Sequence, residues 1–399
     1  MGVLLQAEVN IGLLGHVDHG KTSLTRALTG KWTDTHSEEL KRGISIRLGY
    51  ADADIRYCPK CKEYTVSEKC EKCGGKPEVK RRVSFLDAPG HETLMTTVLS
   101  ASSIMDGALL LISANEECPQ PQTAEHLTVL NILGIKNIVV VQTKVDLVSK
   151  EQALEHYNKI KEFLKGSVAE GAPIIPVVAN HGINVGEVAR AIEESIPTPK
   201  RDKDSPPLLY ISRSFDVNKP GVEVSTIKGG VVGGSLLRGT LKTGDKIEFL
   251  PGIEREGKGP KPISTEVTSL MCEGGALKEA HSGGLIAVGT TLDPSLTKGD
   301  SLAGCAVGTP GSLPPVLGEL EISYSPIERT EFDNPPPKVG EPIVVSVQTS
   351  TTVGVVSAYK KGTVRIKLKK QVCVGKDSTV ALSRRVGQRW RLCGWGKTR

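Results

Sequence analysis

The chain has 399 residues, a formal net charge of +6, 38% hydrophobic residues and 24% charged residues. This length predicts two or three domains, and the composition excludes a disordered, collagen-like or coiled-coil protein. The longest apolar run, residues 107–114, is far shorter than the ~20 residues of a membrane span. The N-terminus also lacks the regions of a signal peptide, so we expect a cytoplasmic protein that does not bind membranes.

Short apolar runs alternate with helical patterns over the first half of the chain. The pattern predicts strands at 9–14, 83–86, 108–113, 138–142 and 174–178, and helices at 22–28, 123–133, 151–164 and 186–196. Such alternation is typical of a parallel sheet with helices on both faces. We therefore expect an α/β domain in this half.

The first predicted strand is followed by the segment GHVDHGKT at 15–22, which has the spacing G-x-x-x-x-G-K-[ST] and opens a helix. Backbone amides of such a loop wrap a β-phosphate, and the helix dipole adds positive charge. Lys21 would neutralise phosphate charge, and the Thr22 hydroxyl is a ligand for Mg²⁺. The motif predicts a nucleoside triphosphate site at Asp18, His19, Gly20, Lys21, Thr22 and Ser23.

Two later segments concern the base of the nucleotide. TKVD at 143–146 follows a strand and resembles the N-K-x-D motif of GTPases, in which the acidic residue accepts hydrogen bonds that adenine cannot supply. VAN at 178–180 stands where that family has Ser-Ala. Thr143 and Val178 depart from the pattern, which leaves nucleotide affinity open. The predicted guanine-binding residues are Thr143, Lys144, Val145, Asp146, Val178, Ala179 and Asn180.

The segment DAPGH at 87–91 resembles switch II of translational GTPases, D-x-P-G-H. The resemblance implies that Asp87 holds Mg²⁺ through water and that the Gly90 amide senses the γ-phosphate. It also implies that His91 orients the attacking water, which P-loop GTPases must align for in-line displacement.

Upstream, KRGISI at 41–46 resembles the switch I segment R-G-[IM]-T-I. Ser45 occupies the usual threonine position and keeps the hydroxyl that Mg²⁺ needs. The resemblance also implies a second Mg²⁺ near Asp18 and the Gly43 carbonyl, and the alternative is that Asp18 only shapes the phosphate loop.

Between the two switches lie two C-x₂-C pairs, CPKC at 58–61 and CEKC at 70–73. Four thiolates at this spacing suit tetrahedral Zn²⁺, and a closed four-sulfur site is structural because it has no open position for chemistry. Disulfides or idle thiols are the alternative. We predict a zinc ribbon at about residues 55–80 with Cys58, Cys61, Cys70 and Cys73 as ligands, and we expect the other five cysteines to be buried small hydrophobes.

The proline-rich and charged segment at 197–207 reads as a linker that ends the first domain. Beyond it, brief Val/Ile/Thr runs separated by glycines are typical of antiparallel barrels, with a second break at 313–315. The sequence therefore predicts an α/β P-loop GTPase domain at 1–206 and two all-β barrel domains at 207–314 and 315–399.

The positive charge is concentrated at the C-terminal end. Residues 315–399 hold 15 lysines and arginines against 7 acidic residues, a net +8, which leaves −2 for the rest of the chain. Such a region attracts nucleic acid or is a solvated barrel face. The final stretch offers a surface for phosphates and base stacking, or else core tryptophans among ordinary exposed charges: Arg384, Arg385, Arg389, Arg391, Lys397, Trp390 and Trp395.

Further stretches narrow the resemblance: RSFDVNKPG at 213–221, KGGVVGGS at 228–235, GGLIAVG at 283–289, TLDPSLT at 291–297 and RRVGQRWR at 384–391. Over nearly its whole length the chain resembles the gamma-subunit family of archaeal and eukaryotic translation initiation factor 2. That family implies a GTP-dependent carrier that delivers initiator methionyl-tRNA to the small ribosomal subunit, as the core of a heterotrimer with alpha and beta subunits. Hydrolysis would be the release switch, with Lys21, Gly90 and His91 as catalytic residues.

No arginine can be identified as a finger in cis, so we expect a GTPase-activating partner. Three other interpretations remain. An elongation-type tRNA carrier resembling elongation factor Tu is disfavoured by the cysteine insert and by the segment 213–221. A GTPase regulator of a sulfate-activating enzyme shares the loop and the barrels. A non-hydrolysing scaffold would explain Thr143 and Val178 as marks of a lapsed nucleotide site.

Overall fold

A computed structural model describes residues 6–33, 49–88, 98–99, 103–255, 259–328 and 332–399. The chain divides into two compact units, Met1–Lys200 and Arg201–Arg399. Among the described residues, a large apolar core cluster lies in the first unit and two such clusters lie in the second. Among the described residues, no helix is long and apolar enough to span a membrane.

A seven-stranded sheet forms the centre of the first unit. Its strands are β1 (Val9–Gly15), β2 (Gly49–Cys58), β3 (Glu63–Thr65), β4 (Glu78–Asp87), β5 (Gly107–Ser113), β6 (Ile138–Thr143) and β7 (Ile174–Val177). Their order is β3-β2-β4-β1-β5-β6-β7. Strands β4, β1, β5, β6 and β7 are parallel, as predicted.

Strands β2 and β3 join this sheet in antiparallel fashion and were not predicted. In β2, fully buried residues are interspersed with half-buried ones, whereas the central strands β1, β5 and β6 are buried throughout. The apolar runs therefore indicated the parallel strands and gave no signal for the antiparallel strands β2 and β3 at one edge.

In the described ranges, four helices with complete bounds accompany this sheet: α1 (Lys21–Thr29), α2 (Pro121–Leu133), α3 (Lys150–Leu164) and α4 (Val185–Ser195). Each begins or ends within two residues of its predicted bounds. The side chain of Ser149 and that of Gln152 cap the start of α3 reciprocally. Leu24 of α1 and Val188 of α4 belong to the same core cluster as Leu13 of β1, so both helices cover the strand that precedes the phosphate loop.

The second unit begins with an antiparallel sheet of order β11-β16-β8-β9-β15-β12-β13, and an additional β11–β12 pairing closes six of its strands into a barrel. The strands are β8 (Leu208–Phe215), β9 (Val231–Arg238), β11 (Lys246–Arg255), β12 (Gly259–Cys272), β13 (Gly275–Leu277), β15 (Ile286–Thr290) and β16 (Ala306–Gly308), with a separate pair β10 (Thr240–Lys242) and β14 (Glu279–His281). Closure removes open sheet edges.

A second antiparallel sheet has the order β17-β21-β20-β19-β22-β23-β18. Its strands are β17 (Val316–Ser323), β18 (Ser325–Pro326), β19 (Pro342–Val347), β20 (Ser350–Lys360), β21 (Thr363–Cys373), β22 (Thr379–Val386) and β23 (Arg389–Lys397). Ile322 of β17 bridges Thr398 after β23, which brings the sheet towards closure. A small buried cluster that includes Tyr210, Ala306 and Cys373 joins this sheet to the first barrel.

Candidate nucleotide site

The predicted nucleotide-binding segments all leave the sheet at its carboxyl edge. The phosphate loop follows β1, Asp87 ends β4, Thr143 ends β6, and Val178 follows β7. Asp87 is the register partner of Leu13, and Thr143 is the partner of Val177. Strand β1 lies between β4 and β5, so the phosphate loop lies at the carboxyl edge between the ends of these two strands. In open α/β sheets, ligands bind in a crevice at this edge.

The phosphate loop turns directly into helix α1. Gly20 caps the helix with φ of 81°, a left-handed conformation that glycine adopts at little cost. No side chain in the described part of the chain caps this N-terminus with a hydrogen bond. The first-turn amides and the helix dipole can therefore receive an anion. Asp18 also has a positive φ, 60°, and its side chain is exposed.

The Lys21 side chain is held inside the loop. Only 7% of the residue is exposed, and its ammonium donates to the carbonyls of Gly15 at 2.9 Å and His16 at 2.7 Å. The loop therefore fixes one positive charge at its own centre, where the phosphates of a nucleotide would lie.

Thr143 connects the predicted base-binding segment, 143–146, to the phosphate loop. Its hydroxyl donates to the carbonyl of His19 at 2.9 Å, and both residues are buried. The His19 ring is held in turn by the Leu111 carbonyl at 2.9 Å and lies 3.3 Å from the Glu116 carboxylate. Thr143 thus ties the segment at 143–146 to the phosphate loop through a buried hydrogen bond, although it departs from the asparagine of the motif.

His126 accepts a hydrogen bond from the first residue of the phosphate loop. No motif in the sequence indicated this histidine. The Gly15 amide donates to its Nδ1 at 2.8 Å, and the residue is fully buried. Burial, followed by the charge of Lys21, lowers the pKa of His126 to about 3. The imidazole is therefore neutral at physiological pH, which leaves Nδ1 able to accept the hydrogen bond.

Oxygen atoms suited to Mg²⁺ meet at the end of β4. The Thr22 hydroxyl donates to Asp87 Oδ2 at 2.8 Å, and Asp87 is 1% exposed. Hydroxyl and carboxylate oxygens match this hard cation. A second hydroxyl, from Thr33, donates to the same oxygen at 2.6 Å; the sequence motifs did not indicate Thr33.

Four predicted residues lie outside the described residues: Gly43, Ser45, Gly90 and His91. The same holds for the whole segment KRGISI and for the end of DAPGH. Their assigned roles in binding the metal and in hydrolysis therefore stay predictions.

The two segments predicted to bind the base follow the neighbouring strands β6 and β7. Lys144 adopts φ of 56° between β6 and a short turn of helix at Val145–Leu147. Asp146 and Asn180 are exposed, whereas Val178 is buried and bridges Ile183. This places polar groups and backbone amides at the edge of the crevice, with Val178 serving as a packing residue.

The four predicted zinc ligands come together. The sulfur atoms of Cys58, Cys61, Cys70 and Cys73 lie within 4.8 Å of one another, with 3.6 Å between Cys58 and Cys73 and 3.7 Å between Cys61 and Cys70. This grouping is compatible with a tetrahedral ion.

Thiol acidity differs across this cluster. Backbone hydrogen bonds, chiefly from Cys73, lower the pKa of Cys70 to about 7. Hydrogen bonds between sulfurs, chiefly with Cys73, raise the pKa of Cys61 to about 12. A thiolate therefore forms more readily at Cys70 than at Cys61, and a bound cation would favour deprotonation of the thiols that hold it.

The prediction that Arg384 belongs to an exposed basic surface near the C-terminus is wrong. This arginine is 5% exposed and pairs with both carboxylate oxygens of Glu341 at 3.0 and 3.2 Å. It also donates to Asn334 and to the Pro335 carbonyl. The charge of Arg384 is therefore paired with Glu341 inside the barrel, whereas Arg385 and Lys397 are exposed.

Comparison with protein families assigns all three parts of the chain. Residues 6–198 match the elongation factor Tu GTP binding domain, and residues 229–303 match elongation factor Tu domain 2. Residues 318–398 match the C-terminal domain of initiation factor eIF2 gamma. Together with the phosphate loop, these matches define a GTPase of the translational class, with a P-loop domain followed by all-β domains.

Similar proteins match this chain over nearly its full length. The chain is 56% identical to translation initiation factor 2 subunit gamma from Methanococcus maripaludis, over 98% of each chain. It is 54% identical to that subunit from Methanocaldococcus jannaschii and from Pyrococcus horikoshii, over 98% of this chain and 97% of theirs. The chain belongs to the family of translation initiation factor 2 gamma subunits.

Solved structures with the same fold include elongation factors. A bacterial selenocysteine-specific elongation factor superposes with a TM-score of 0.75 at 26% identity, covering 98% of this chain and 58% of that one. Elongation factor SelB from Methanococcus maripaludis, in complex with the GTP analogue GppNHp, gives 0.74 at 21% identity, covering 98% of this chain and 79% of that one. The chain thus spans little more than half of the first structure, and at 21% identity the second supports the fold alone.

Proposed function

We propose that this GTPase initiation factor subunit carries initiator methionyl-tRNA to the small ribosomal subunit, as the core of a heterotrimer with alpha and beta subunits. The observation that carries the proposal is the identity of 56% over 98% of both chains with an initiation factor 2 gamma subunit. The two elongation factors described above are 26% and 21% identical to this chain, and this contrast favours initiator over elongator tRNA.

The proposed nucleotide site uses the phosphate loop and the two base segments. Lys21 and the first amides of α1 bind phosphates, Thr143 braces the loop through the His19 carbonyl, and Asp146 reads the guanine edge. Mg²⁺ would be held by Thr22 and Asp87, with Ser45 added, and when bound it supplies charge neutralisation at the phosphates. Asp18 and Gly43 are proposed for a second ion.

The proposed switch depends on residues bordering this site. Ser45 and Gly90 respond to the γ-phosphate, and His91 orients the hydrolytic water. A GTPase-activating partner is part of the proposal because no arginine of the chain is assigned as a finger. The proposed domains are 1–206, with a zinc ribbon at about 55–80, then 207–314 and 315–399. Strand β8 begins at Leu208 and β17 at Val316, which supports these boundaries.

Filter binding of labelled tRNA to the assembled heterotrimer tests the carrier function. We expect initiator methionyl-tRNA to bind at least about tenfold more tightly with GTP than with GDP, a typical coupling between two ligands. Elongator tRNA should bind weakly with either nucleotide. Equal retention of both tRNAs, or no dependence on the nucleotide, would contradict the proposal.

Turnover measurements test hydrolysis separately. His91→Ala should abolish the GTPase activity stimulated by the ribosomal subunit while leaving GTP affinity unchanged. His281→Ala, in the second unit, is the matched control. Equal rates for the wild type and His91→Ala would remove His91 from the mechanism and leave the carrier function standing.

A further inference from the structure

We infer that Thr33 is a positioning residue for the magnesium ligands, an inference that rests on the proposed nucleotide site. Thr33 follows the last residue of α1, Thr29, by four positions. Its hydroxyl donates to Asp87 Oδ2 at 2.6 Å, the same oxygen that receives the Thr22 hydroxyl at 2.8 Å. One carboxylate oxygen therefore accepts from two hydroxyls, one in the first turn of α1 and one four residues beyond the end of this helix.

Asp87 needs such support because its backbone alone does not fix its carboxylate. The residue ends β4, pairs with Leu13 on one side and Gly49 on the other, and is 1% exposed. The last torsion of an aspartate is broad, with two equivalent orientations. Two hydroxyls on Oδ2 select one orientation before any ligand arrives, at a place where water cannot replace them.

Gly49 is the second observation behind the inference. A Cβ built at position 49 would lie 2.7 Å from the Cβ of Thr33 and 3.3 Å from the Cβ of Asp87. Gly49 is not among the residues with positive φ, so its backbone does not require glycine. The absent side chain instead makes the room in which Thr33 reaches Asp87.

The arrangement suits a metal site in which the ligand hydroxyl also donates a hydrogen bond. Thr22 directs its proton to Asp87, which leaves its oxygen lone pairs for the cation. Groups that orient metal ligands without touching the ion commonly contribute ten- to hundredfold in metal affinity. Thr33 should therefore raise the affinity for Mg²⁺ while making no contact with the nucleotide itself.

Release of fluorescently labelled GDP, measured across a range of free Mg²⁺, tests this role. We expect Thr33→Val to need about tenfold more Mg²⁺ for half-maximal slowing of release. Thr33→Ser, which keeps the hydroxyl, should follow the wild type. With EDTA present, all three proteins should release GDP at the same rate, because the hydroxyl acts only through the metal ligands.

Gly49→Ala is an independent variant, and its added methyl group should shift the Mg²⁺ dependence in the same direction as Thr33→Val. Circular dichroism checks that each protein is folded, and Thr33→Ala replaces Thr33→Val if the latter is not. If Thr33→Val matches Thr33→Ser in its Mg²⁺ dependence, or weakens GDP equally with and without the ion, the inference is overturned. If the wild type retains no GDP at any Mg²⁺ concentration, the proposed nucleotide site itself fails.

Discussion

The hydroxyl of Thr143 donates to the carbonyl of His19 at 2.9 Å in a fully buried position. Through this bond, the segment after β6 is fixed to the phosphate loop after β1, although β5 lies between these two strands. The departure from asparagine at position 143 therefore does not leave the two segments unconnected.

Thr143→Val removes this hydroxyl while keeping the side-chain shape. We expect GTP and GDP to bind roughly tenfold more weakly, because a buried carbonyl loses its donor at a cost of about 1–3 kcal/mol. Thr143→Ser keeps the hydroxyl and should bind close to the wild type. Isothermal titration calorimetry in the presence of Mg²⁺ measures the difference, and equal affinities of the two variants would show that the bond does not support the loop.

Because His126 is buried in the neutral form, we predict that the first unit loses stability in acid. Its pKa is about 3 in the folded protein and about 6.5 in an unfolded chain, so folding favours the neutral form. Stability is complete above pH 6.5 and falls as the pH drops from there towards 3, by at most about 1.4 kcal/mol per pH unit from this residue. Burial lowers the pKa of His19 as well, which adds to the loss in the same direction.

Urea unfolding at pH 7, 6 and 5 measures this effect. His126→Asn is the informative variant because its amide oxygen can take the place of Nδ1 and accept from Gly15 without titrating. We expect its stability to fall less steeply with acid than that of the wild type. His126→Leu, which offers no acceptor, should bind GDP more weakly than His126→Asn. Parallel pH profiles for the wild type and His126→Asn would contradict the assignment.

The cysteine cluster predicts one zinc ion per chain. Cys70→Ser should lose it, because this residue has the most acidic of the shifted thiols in the cluster, with a pKa of about 7. Cys118→Ser should keep the metal, because burial raises the pKa of Cys118 to about 11 and it lies outside the cluster. Metal content after gel filtration, measured by plasma mass spectrometry, decides the matter; full zinc in Cys70→Ser would exclude this site.

Because Arg384 is buried and paired, we predict that its substitution lowers the stability of the protein and does not act through RNA binding. Arg384→Met leaves the Glu341 carboxylate without its buried partner, and we expect a loss of about 3–5 kcal/mol in the C-terminal barrel. Arg385→Met, next to it and exposed, should leave stability nearly unchanged. Thermal unfolding followed by calorimetry compares the two. Equal transition temperatures would mean that the ion pair contributes nothing to the barrel.

Local patterns in the sequence were sufficient to predict the class of fold and the ligand of each single motif. The phosphate loop, the four cysteines and the central apolar strands each depend on neighbours within a few residues, so spacing alone indicated them. The family resemblance rested on the same kind of local stretches, and the full-length relatives confirm it.

Only the tertiary structure brought in residues that belong to no motif. Thr33, Gly49 and His126 lie 54, 38 and 111 positions from the partners they support, Asp87 and Gly15. Arg384 is also buried, although the next residue, Arg385, is exposed, because Glu341 reaches it from another part of the barrel. Spacing cannot reveal such pairs, since hydrogen bonding and burial depend on which strands the fold places side by side, and that is set by packing over the whole domain.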